Sequence, residues 1–551
     1  MMRHPSEARA GGSLQPRDFE RRVVDIVCRY DAQADHEARP FVPTSEALEA
    51  LSGEVAALRQ QMIGPQAGAT DPIGHVLREH HSETLTALAQ RIARDRAAPH
   101  RFVSGLLRSI TAHMSLDTRD AATRLHLLSE VLARAPDVLA AATQLGRETT
   151  RAQRAFLADA LRSFEASTLH LASSVAAVFV AAESAALERL SEGLRSAGQS
   201  AQRSHEGLTA APDAPEERPD AGPAYDVLLD EVYGIDMGEL LAWHREEVAA
   251  RRRDLDELAR AIDPSRSAFR ILEEDLAPYQ DPAEILPRMR EFVALARAHA
   301  SKYITLPEGE ACEVWPVPEH LRDAYPWGGY FSGGNLLRGG LRGAVFLNIH
   351  NHRSLTRGWI KLNALHECYP GHHAHFVKTA AGNMPGSFKI APMMSPAAPF
   401  GEALCMRTEA LLQDVFDDGR FPLFVRYRRL HTAVRVWVDL LLHHQGASPQ
   451  RAVDVYREQL GFSEPVARGQ VYAQRLIPGY FTVYHYGLLR LEEIERTSPA
   501  TTRDFSERLF SSGKVSLRTF ERLDALSDSA RNEILHGFDR TSSAPAPRPP
   551  H

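Results

Sequence analysis

Apolar residues recur at intervals of three and four over most of the chain, the spacing that places them on one face of an α-helix. The segments ALEALSGEVAALRQQM and TRLHLLSEVLARAPDVLAAATQLG show this spacing, as does YDVLLDEVYGIDMGELLAWHREEV further along the chain. Strict alternation of apolar and polar residues, which is typical of a half-buried strand, is scarce. We therefore predict a mainly α protein with a large helical body.

One stretch departs from the helical pattern. Residues 326–349, PWGGYFSGGNLLRGGLRGAVFLNI, contain seven glycines, and a β-rich run covers Gly343–Asn348. We predict a strand or small sheet at this point, shortly ahead of a histidine-rich segment. An edge strand beside a metal-binding helix often pairs with extended substrate. Plain loop flexibility is the alternative explanation for these glycines.

Composition divides the chain into three parts and a tail. Residues 1–198 are rich in Ala, Leu, Arg and Glu, and we expect an N-terminal helical region of unassigned role there. Residues 199–223 replace the apolar period with Pro, Gly, Ser and charges, which indicates a linker or long loop. Helical patterning resumes over 224–540, and residues 541–551, TSSAPAPRPPH, have the composition of a disordered tail.

Charge and cysteine content narrow the class of protein. The chain has 551 residues, 44% hydrophobic and 25% charged, with a formal net charge of -7, so we expect an ordinary globular protein without a nucleic-acid partner. Its four cysteines form no C-x-x-C pair, which favours free thiols in a reducing compartment. The most apolar stretch, residues 169–187, is too short to span a bilayer. Because the first residues also lack the apolar core of a signal peptide, we predict a cytoplasmic protein.

Candidate metal chemistry is concentrated in residues 362–376, LNALHECYPGHHAHF. Four histidines and a glutamate lie between His366 and His375, and their apolar neighbours indicate at least partial burial. Buried imidazoles need partners, and a divalent metal is a natural one; a histidine-rich surface turn is the alternative. His366 and Glu367 begin an H-E-x-x-H motif, in which two histidines hold zinc and the glutamate acts as general base.

The second histidine of that motif is displaced, because Pro370 occupies its position. In a regular helix a residue seven places on returns to nearly the same face, which favours His373. Pro370 cannot donate to the His366 carbonyl, however, and Gly371 loosens the next turn. If Pro-Gly forms a bulge, His372 takes the ligand position. We choose His372 and keep His373 as the alternative.

A catalytic zinc needs a third protein ligand and one open position. Glu402, in PFGEALCMRTEALL at the start of a predicted helix, is our third ligand. Glu409 follows seven residues later on the same helix face, where its carboxylate would orient a ligand histidine. Solvated helix side chains are the alternative interpretation of both glutamates.

These residues carry a family resemblance. HECYPGHH resembles the H-E-x-x-P-G-H-H signature of the bacterial domain of unknown function 885 family, which is grouped with gluzincin-type helical zinc peptidases. EALCMRTE resembles that family's E-G-W-A-L-Y-A-E block at its two end glutamates only, and FGEALCM is similar to the third-ligand helix of angiotensin-converting-enzyme-type peptidases. Both resemblances imply that Glu402 is the third ligand. The resemblance spans roughly residues 225–535, and residues 1–198 resemble no known family.

Two further blocks resemble the same family. RLIPGYFTVYHYG matches a proline-glycine, then tyrosine-x-x-glycine pattern, which implies that Tyr484, with Tyr480 and His485 nearby, donates to a developing oxyanion. RLHTAVRVWVDLLLHHQGAS follows an R-x-x-x-D-x-x-x-H pattern through three residues on one helix face.

The R-x-x-x-D-x-x-x-H block suggests residues that bind substrate and a residue that supports them. Arg435 and His443 are candidate substrate-binding residues, with Asp439 supporting them from the same helix face. A buried polar network that braces the helix is the alternative.

Together the motifs predict a hydrolase that binds one zinc ion and cleaves an amide or peptide bond, with Glu367 as general base. The expected partner is a peptide or small amide substrate, whose identity the sequence does not give. We keep three alternatives open. They are a cysteine-nucleophile enzyme using Cys368, a metal-binding biosynthetic enzyme acting on a non-peptide small molecule, and a non-catalytic helical scaffold.

Overall fold

The structure is a computed structural model that describes residues 16–31, 40–63, 72–180, 182–212, 224–322, 325, 327–333, 336–390, 392 and 394–537. The protein is mainly α, as its apolar periodicity predicts, and this prediction is confirmed. The predicted tail and residues 213–223 of the predicted linker lie outside the described residues.

Twenty-one α-helices lie in the described part of the chain. They are α1 Pro16–Tyr30, α2 Ser45–Ile63, α3 Pro72–Ala97, α4 His100–Thr111, α5 Ala121–Arg147, α6 Arg151–Val178, α7 Ser184–Thr209, α8 Tyr225–Val227, α9 Met237–Ile262, α10 Ala268–Asp275, α11 Ile285–Ala300, α12 Arg357–Asn363, α13 His372–Ala381, α14 Ala397–Leu411, α15 Phe421–His443, α16 Pro449–Leu460, α17 Glu464–Leu476, α18 Val483–Thr497, α19 Thr502–Ser511, α20 Leu517–Ala525 and α21 Asp528–His536. None of these described helices combines the length and apolarity needed to cross a membrane.

A small sheet interrupts the helices where the glycine-rich stretch predicts one. Strand β1 covers Ala311–Pro316, β2 covers Gly328–Gly333 and β3 covers Arg342–Leu347, in the order β1-β3-β2. The central strand β3 pairs in parallel with β1 and antiparallel with β2. Four successive β3 side chains from residue 344 to 347 are buried, so the predicted strand is confirmed. Strand β2 lies at an edge of the sheet, next to α13.

Helices α4 to α7 share one apolar core. Leu157, Leu161 and Phe164 of α6 are fully buried in it, against α5 and α7. Helix α7 runs through Thr209 and buries Leu208 in the same core, so the first eleven residues of the predicted linker are helical. The sequence places the start of that linker too early because small and polar residues mask the apolar period there.

The first helices pack against segments far along the chain. On α1, Glu20 accepts hydrogen bonds from the backbone N–H and the hydroxyl of Ser387, at 2.7 and 2.9 Å. On α3, His80 donates to the Ser387 carbonyl at 3.2 Å, and Glu83 accepts from the Ser516 hydroxyl at 2.6 Å. Buried polar contacts of this kind join the N-terminal helices to the part of the chain that carries the histidine-rich segment.

Candidate functional site

The histidine-rich segment is a helix that breaks and starts again. Helix α12 continues as a π turn over Ala364–Cys368, Tyr369 is extended, and α13 begins at His372. The start of α13 lies so close to the π turn that a Cβ on Gly371 would be 2.0 Å from the carbonyl oxygen of His366. Only glycine permits this approach. The break brings the rings of His366 and His372 to a centroid separation of 5.0 Å.

The two imidazoles meet one carboxylate. His366 Nε2 lies 3.3 Å, and His372 Nε2 3.5 Å, from the same oxygen, Oε2 of Glu402. Ligands about 2.0–2.1 Å from a tetrahedral ion are separated by roughly 3.3 Å, so each imidazole lies about as far from this oxygen as two ligands of one ion would. The Glu402 Oε2 atom is buried and accepts no hydrogen bond from the described residues, which leaves a lone pair directed at the imidazoles. The donor set fits zinc.

The structure distinguishes the two candidate second histidines. His373 points away from Glu402: its Nε2 lies 2.8 Å from Glu310, and its Nδ1 accepts from the Tyr330 hydroxyl at 3.0 Å. His373 is fully buried with both ring nitrogens hydrogen-bonded, so it has no free lone pair for a metal. The restart of the helix at residue 372 brings His372 to the carboxylate.

Glu409 lies about two helical turns after Glu402 on α14 and contacts the other ring nitrogen of His366. Its Oε1 is 2.6 Å from His366 Nδ1, and its side chain is fully buried. Burial opposes protonation of His366, but the carboxylates of Glu402 and Glu409 outweigh it and raise the pKa of this imidazole to about 10. A carboxylate at Nδ1 fixes the tautomer that presents Nε2 to a metal.

Cys405 is a further sulfur donor near the cluster. Its Sγ and one ring nitrogen from each of His366 and His372 all lie within 4.8 Å of one another. The thiol is fully buried, and that burial, with nearby carboxylates, raises its pKa well above the usual range. Glu402 lines the cavity described next, whereas Cys405 is not among the described lining residues. Glu402 is therefore the better candidate for a third ligand.

The cluster faces a cavity of about 1010 Å³. From the C-terminal part of the chain, the predicted site residues that line this cavity are His366, Glu367, His372, Glu402, Tyr480 and Tyr484. The edge strand β2 adds Tyr330, Phe331 and Ser332. This placement is compatible with pairing of an extended substrate along β2.

Another part of the cavity wall comes from the N-terminal helices, for which the sequence analysis predicts no role. Helix α4 contributes Ser104, Leu107 and Arg108, and α6 contributes Ser163 and Ser167. Nothing in the local sequence of α4 or α6 signals this function, because pairing between helices some 200 residues apart leaves no local pattern.

Two tyrosines from the turn before α18 and its first residues lie beside the cluster. The Tyr480 hydroxyl donates to Glu402 Oε1 at 3.1 Å, and the Tyr484 ring stacks on His366 at 6.4 Å with an interplanar angle of 16°. Burial raises the pKa of both tyrosines, so both hydroxyls keep their protons and remain donors. His485 points elsewhere, with its Nε2 2.9 Å from Glu247.

The structure does not bring Arg435, Asp439 and His443 to the cavity. They share one face of α15, as predicted, but that face packs on α17. The Arg435 guanidinium donates to Gln470 at 3.1 Å, and His443 Nε2 lies 3.2 Å from the backbone carbonyl of residue 474. Neither side chain is among the described residues that line the cavity. This arrangement agrees with the alternative of a buried polar network.

Asp439 supports the turn that carries Tyr480. Its Oδ2 accepts hydrogen bonds from the Gly479 N–H and the Thr482 hydroxyl, both at 3.0 Å. Arg435 lies over the face of the Tyr484 ring at 5.5 Å. The polar network of α15 therefore acts on the site indirectly, by positioning the two tyrosines.

The fold and site together define a large helical protein with a histidine–carboxylate cluster that opens on an internal cavity. Residues 34–523 match the family described as "Bacterial protein of unknown function (DUF885)", and the chain belongs to that family. The match begins far upstream of residue 225, where the sequence resemblance seemed to start, so the N-terminal helices are part of the family fold. No curated protein matches the chain.

Two solved structures share the fold. One is "the putative lipoprotein from Colwellia psychrerythraea", with a TM-score of 0.75 and 14% identity over 92% of this chain and 97% of that one. The other is a "putative lipoprotein of unknown function from Shewanella oneidensis", with a TM-score of 0.65 and 12% identity over 93% of this chain and 99% of that one. At these identities the likeness concerns the fold alone. The cytoplasmic location stays a prediction.

Proposed function

We propose that the protein is a zinc-dependent hydrolase that cleaves an amide or peptide bond in a small substrate. The observation that carries this proposal is the approach of two imidazole Nε2 atoms to one unpartnered oxygen of Glu402, at 3.3 and 3.5 Å, on the wall of a large cavity. His366, His372 and Glu402 would hold the metal. A donor set of two histidines and one glutamate is typical of zinc peptidases.

The other lining residues have roles that follow from their chemistry. Zinc bound here would act as a Lewis acid and make water a nucleophile near neutral pH. Glu367 follows the ligand His366 and lines the cavity, so its carboxylate can take a proton from the attacking water and return it to the leaving amine. The hydroxyl of Tyr484 supplies a donor beside the cluster for a developing oxyanion, while the Tyr480 hydroxyl donates to Glu402.

The cavity limits the size of the substrate. A volume of about 1010 Å³ is at the upper end of small-molecule sites, and residues of helices α4 and α6 form part of its wall. A short peptide or a small amide fits such a site. The replacement of the family's aromatic residues in the segment after Glu402 favours a specialised small amide as the second candidate.

The test combines metal analysis with turnover. Wild-type protein, Glu402→Ala and Glu367→Gln would be expressed with ample zinc, and their metal content measured by elemental analysis. We expect about one zinc per chain in wild type and in Glu367→Gln, and almost none in Glu402→Ala. Hydrolysis of a mixed short-peptide pool should occur with wild type alone and stop with a chelator.

Three results would separate the alternatives. Zinc without cleavage in wild type would move the search to non-peptide amides. Full activity in Glu367→Gln would remove the general-base role. Absence of zinc from the wild-type protein would overturn the proposal and leave a helical scaffold.

A further inference from the structure

Lys514 stands out among the lysines of this chain. Only five of the 64 basic residues are lysine. The ammonium groups of Lys361 and Lys378 each contact a carboxylate, and Lys389 donates to backbone carbonyls. Lys302 is exposed to solvent. Lys514 is partly buried, and no carboxylate of the described residues lies within ion-pair distance of its Nζ.

The Lys514 side chain belongs to the same cavity as the histidine cluster. Its Nζ lies 4.4 Å from the centre of the Phe376 ring, and that ring lies 5.8 Å from the ring of His372. One aromatic ring thus separates the ammonium from a metal-binding imidazole. The two distances together span at most about 10 Å, which corresponds to no more than about three residues of an extended peptide.

The charged groups around Lys514 do not neutralise the positive charge of its ammonium. Asp31 also lines the cavity and is the acidic group that acts on Lys514, but its carboxylate is held by Arg91 at 2.8 Å. His375 lies on the same wall, and burial lowers its pKa to about 3, so it carries no charge near neutral pH. Burial lowers the pKa of Lys514 to about 8, which leaves the amine mostly protonated at pH 7. A partly buried cation without a counter-ion is costly unless a ligand supplies the anion.

We propose that Lys514 forms an anion subsite that binds a carboxylate of the substrate, within about three residues of the bond that is cleaved. The assignment deepens the proposed hydrolase function, because it defines the substrate as an acidic small amide or a peptide with a nearby free carboxylate. The Lys514 ammonium lies over the Phe376 ring, and the side chain lines the cavity. An ammonium–carboxylate hydrogen bond is among the stronger polar contacts in proteins.

The test measures binding without turnover. Isothermal titration calorimetry of the full chain at pH 7, in the presence of a chelator, would compare N-acetyl-glycyl-glycine with its C-terminal amide. We expect wild type to bind the acid about tenfold more tightly than the amide. Lys514→Met, which keeps an unbranched apolar side chain at this position, should lose that preference. Lys514→Arg and the exposed control Lys302→Met should keep it.

The outcomes are independent of zinc, so they separate this subsite from the hydrolase proposal. Equal affinity of wild type for acid and amide, no detectable binding of either, or a preference that survives in a folded Lys514→Met would each overturn the subsite. Tighter binding of inorganic phosphate than of the dipeptide acid would overturn the carboxylate assignment. Circular dichroism of each variant would show that its fold is intact.

Discussion

The Nδ1 atom of His366 lies 2.6 Å from Glu409, while the Nε2 atom of the same ring faces Glu402 at 3.3 Å. One imidazole thus joins two carboxylates from a single helix, α14. The Glu409 carboxylate orients the ring, and the Glu402 carboxylate faces the position that a metal would occupy.

Removal of the Glu409 carboxylate should weaken metal binding without removing a ligand. We expect Glu409→Ala to lower zinc affinity by roughly 10–100-fold, because His366 loses the partner that fixes its tautomer. Competition with a chromophoric chelator measures this affinity. Glu493→Ala, an exposed glutamate on neighbouring α18, is the matched control and should behave as wild type. Unchanged affinity in a folded Glu409→Ala would remove the orienting role.

The adjacent histidines should differ sharply in their effect on metal content. We expect His372→Gln to lose stoichiometric zinc, because its Nε2 is one of the two imidazole donors at Glu402. His373→Gln should retain zinc but lose stability, by about 1–3 kcal/mol, since it disturbs the buried contacts with Glu310 and Tyr330. Elemental analysis and thermal unfolding of both variants measure the two effects. The reverse pattern of metal loss would show that His373 is the ligand.

Gly371 should tolerate no side chain. A Cβ at this position would overlap the carbonyl oxygens of Leu365 and His366, at 2.3 and 2.0 Å, so Gly371→Ala must push α13 away from the π turn. We expect a lower melting temperature and loss of bound zinc. Gly53→Ala, in an exposed position of α2 with no atom within 4 Å, should instead stabilise the protein by about 0.5–1 kcal/mol. Zinc retention in Gly371→Ala would show that metal binding does not require the close contact between the start of α13 and the π turn.

The pH dependence of the anion subsite follows from the pKa of Lys514, which burial lowers to about 8. Below this pH the amine is charged, so the preference for acid over amide should be full at pH 6–7 and fade as the pH rises through 8. Calorimetry at several pH values measures it.

Stability should change in the opposite direction to binding. Because the pKa of Lys514 is lower in the folded than in the unfolded chain, the unfolded chain binds more protons between about pH 8 and 10.5. Wild type should therefore gain stability relative to Lys514→Met over that interval, which thermal unfolding would detect. A constant difference would contradict the shifted pKa.

The wall formed by α6 can be tested from a position some 200 residues away from the histidines. Ser163 lines the cavity, so we expect Ser163→Trp to occupy substrate space, raise KM or abolish turnover, and leave zinc content unchanged. Ser173→Trp, exposed on the same helix but not among the described lining residues, is the control. Equal kinetics in the two variants would show that α6 does not bound the substrate site.

The sequence predicted the local features of this protein better than the long-range ones. The helical class, the strand before the histidine-rich segment and the proximity of His366 to Glu402 follow from periodicity and motif chemistry. The choice of His372 over His373 rested on an assumed bulge at Pro-Gly, because it depends on where the helix restarts after Pro370. A helical wheel does not describe that break.

The other differences between the sequence prediction and the structure concern the direction in which a helix face points. The spacing of Arg435 and His443 correctly placed them on one face of α15, but spacing does not say that this face packs on α17 rather than on the cavity. The wall from α4 and α6 was missed for the same reason, because only the packed chain brings it to the histidines.

The division of the cavity between distant helices has a consequence for biosynthesis. Helices α4 to α7 have an apolar core of their own, so they can fold soon after they leave the ribosome. The histidine-rich segment emerges about 150 residues after the end of α7, a delay of about 8–30 s at about 5–20 residues per second. During that interval Leu107 and the rest of the wall face solvent without their counterpart. A nascent chain arrested before residue 366 should therefore bind chaperones through the surface that later lines the cavity.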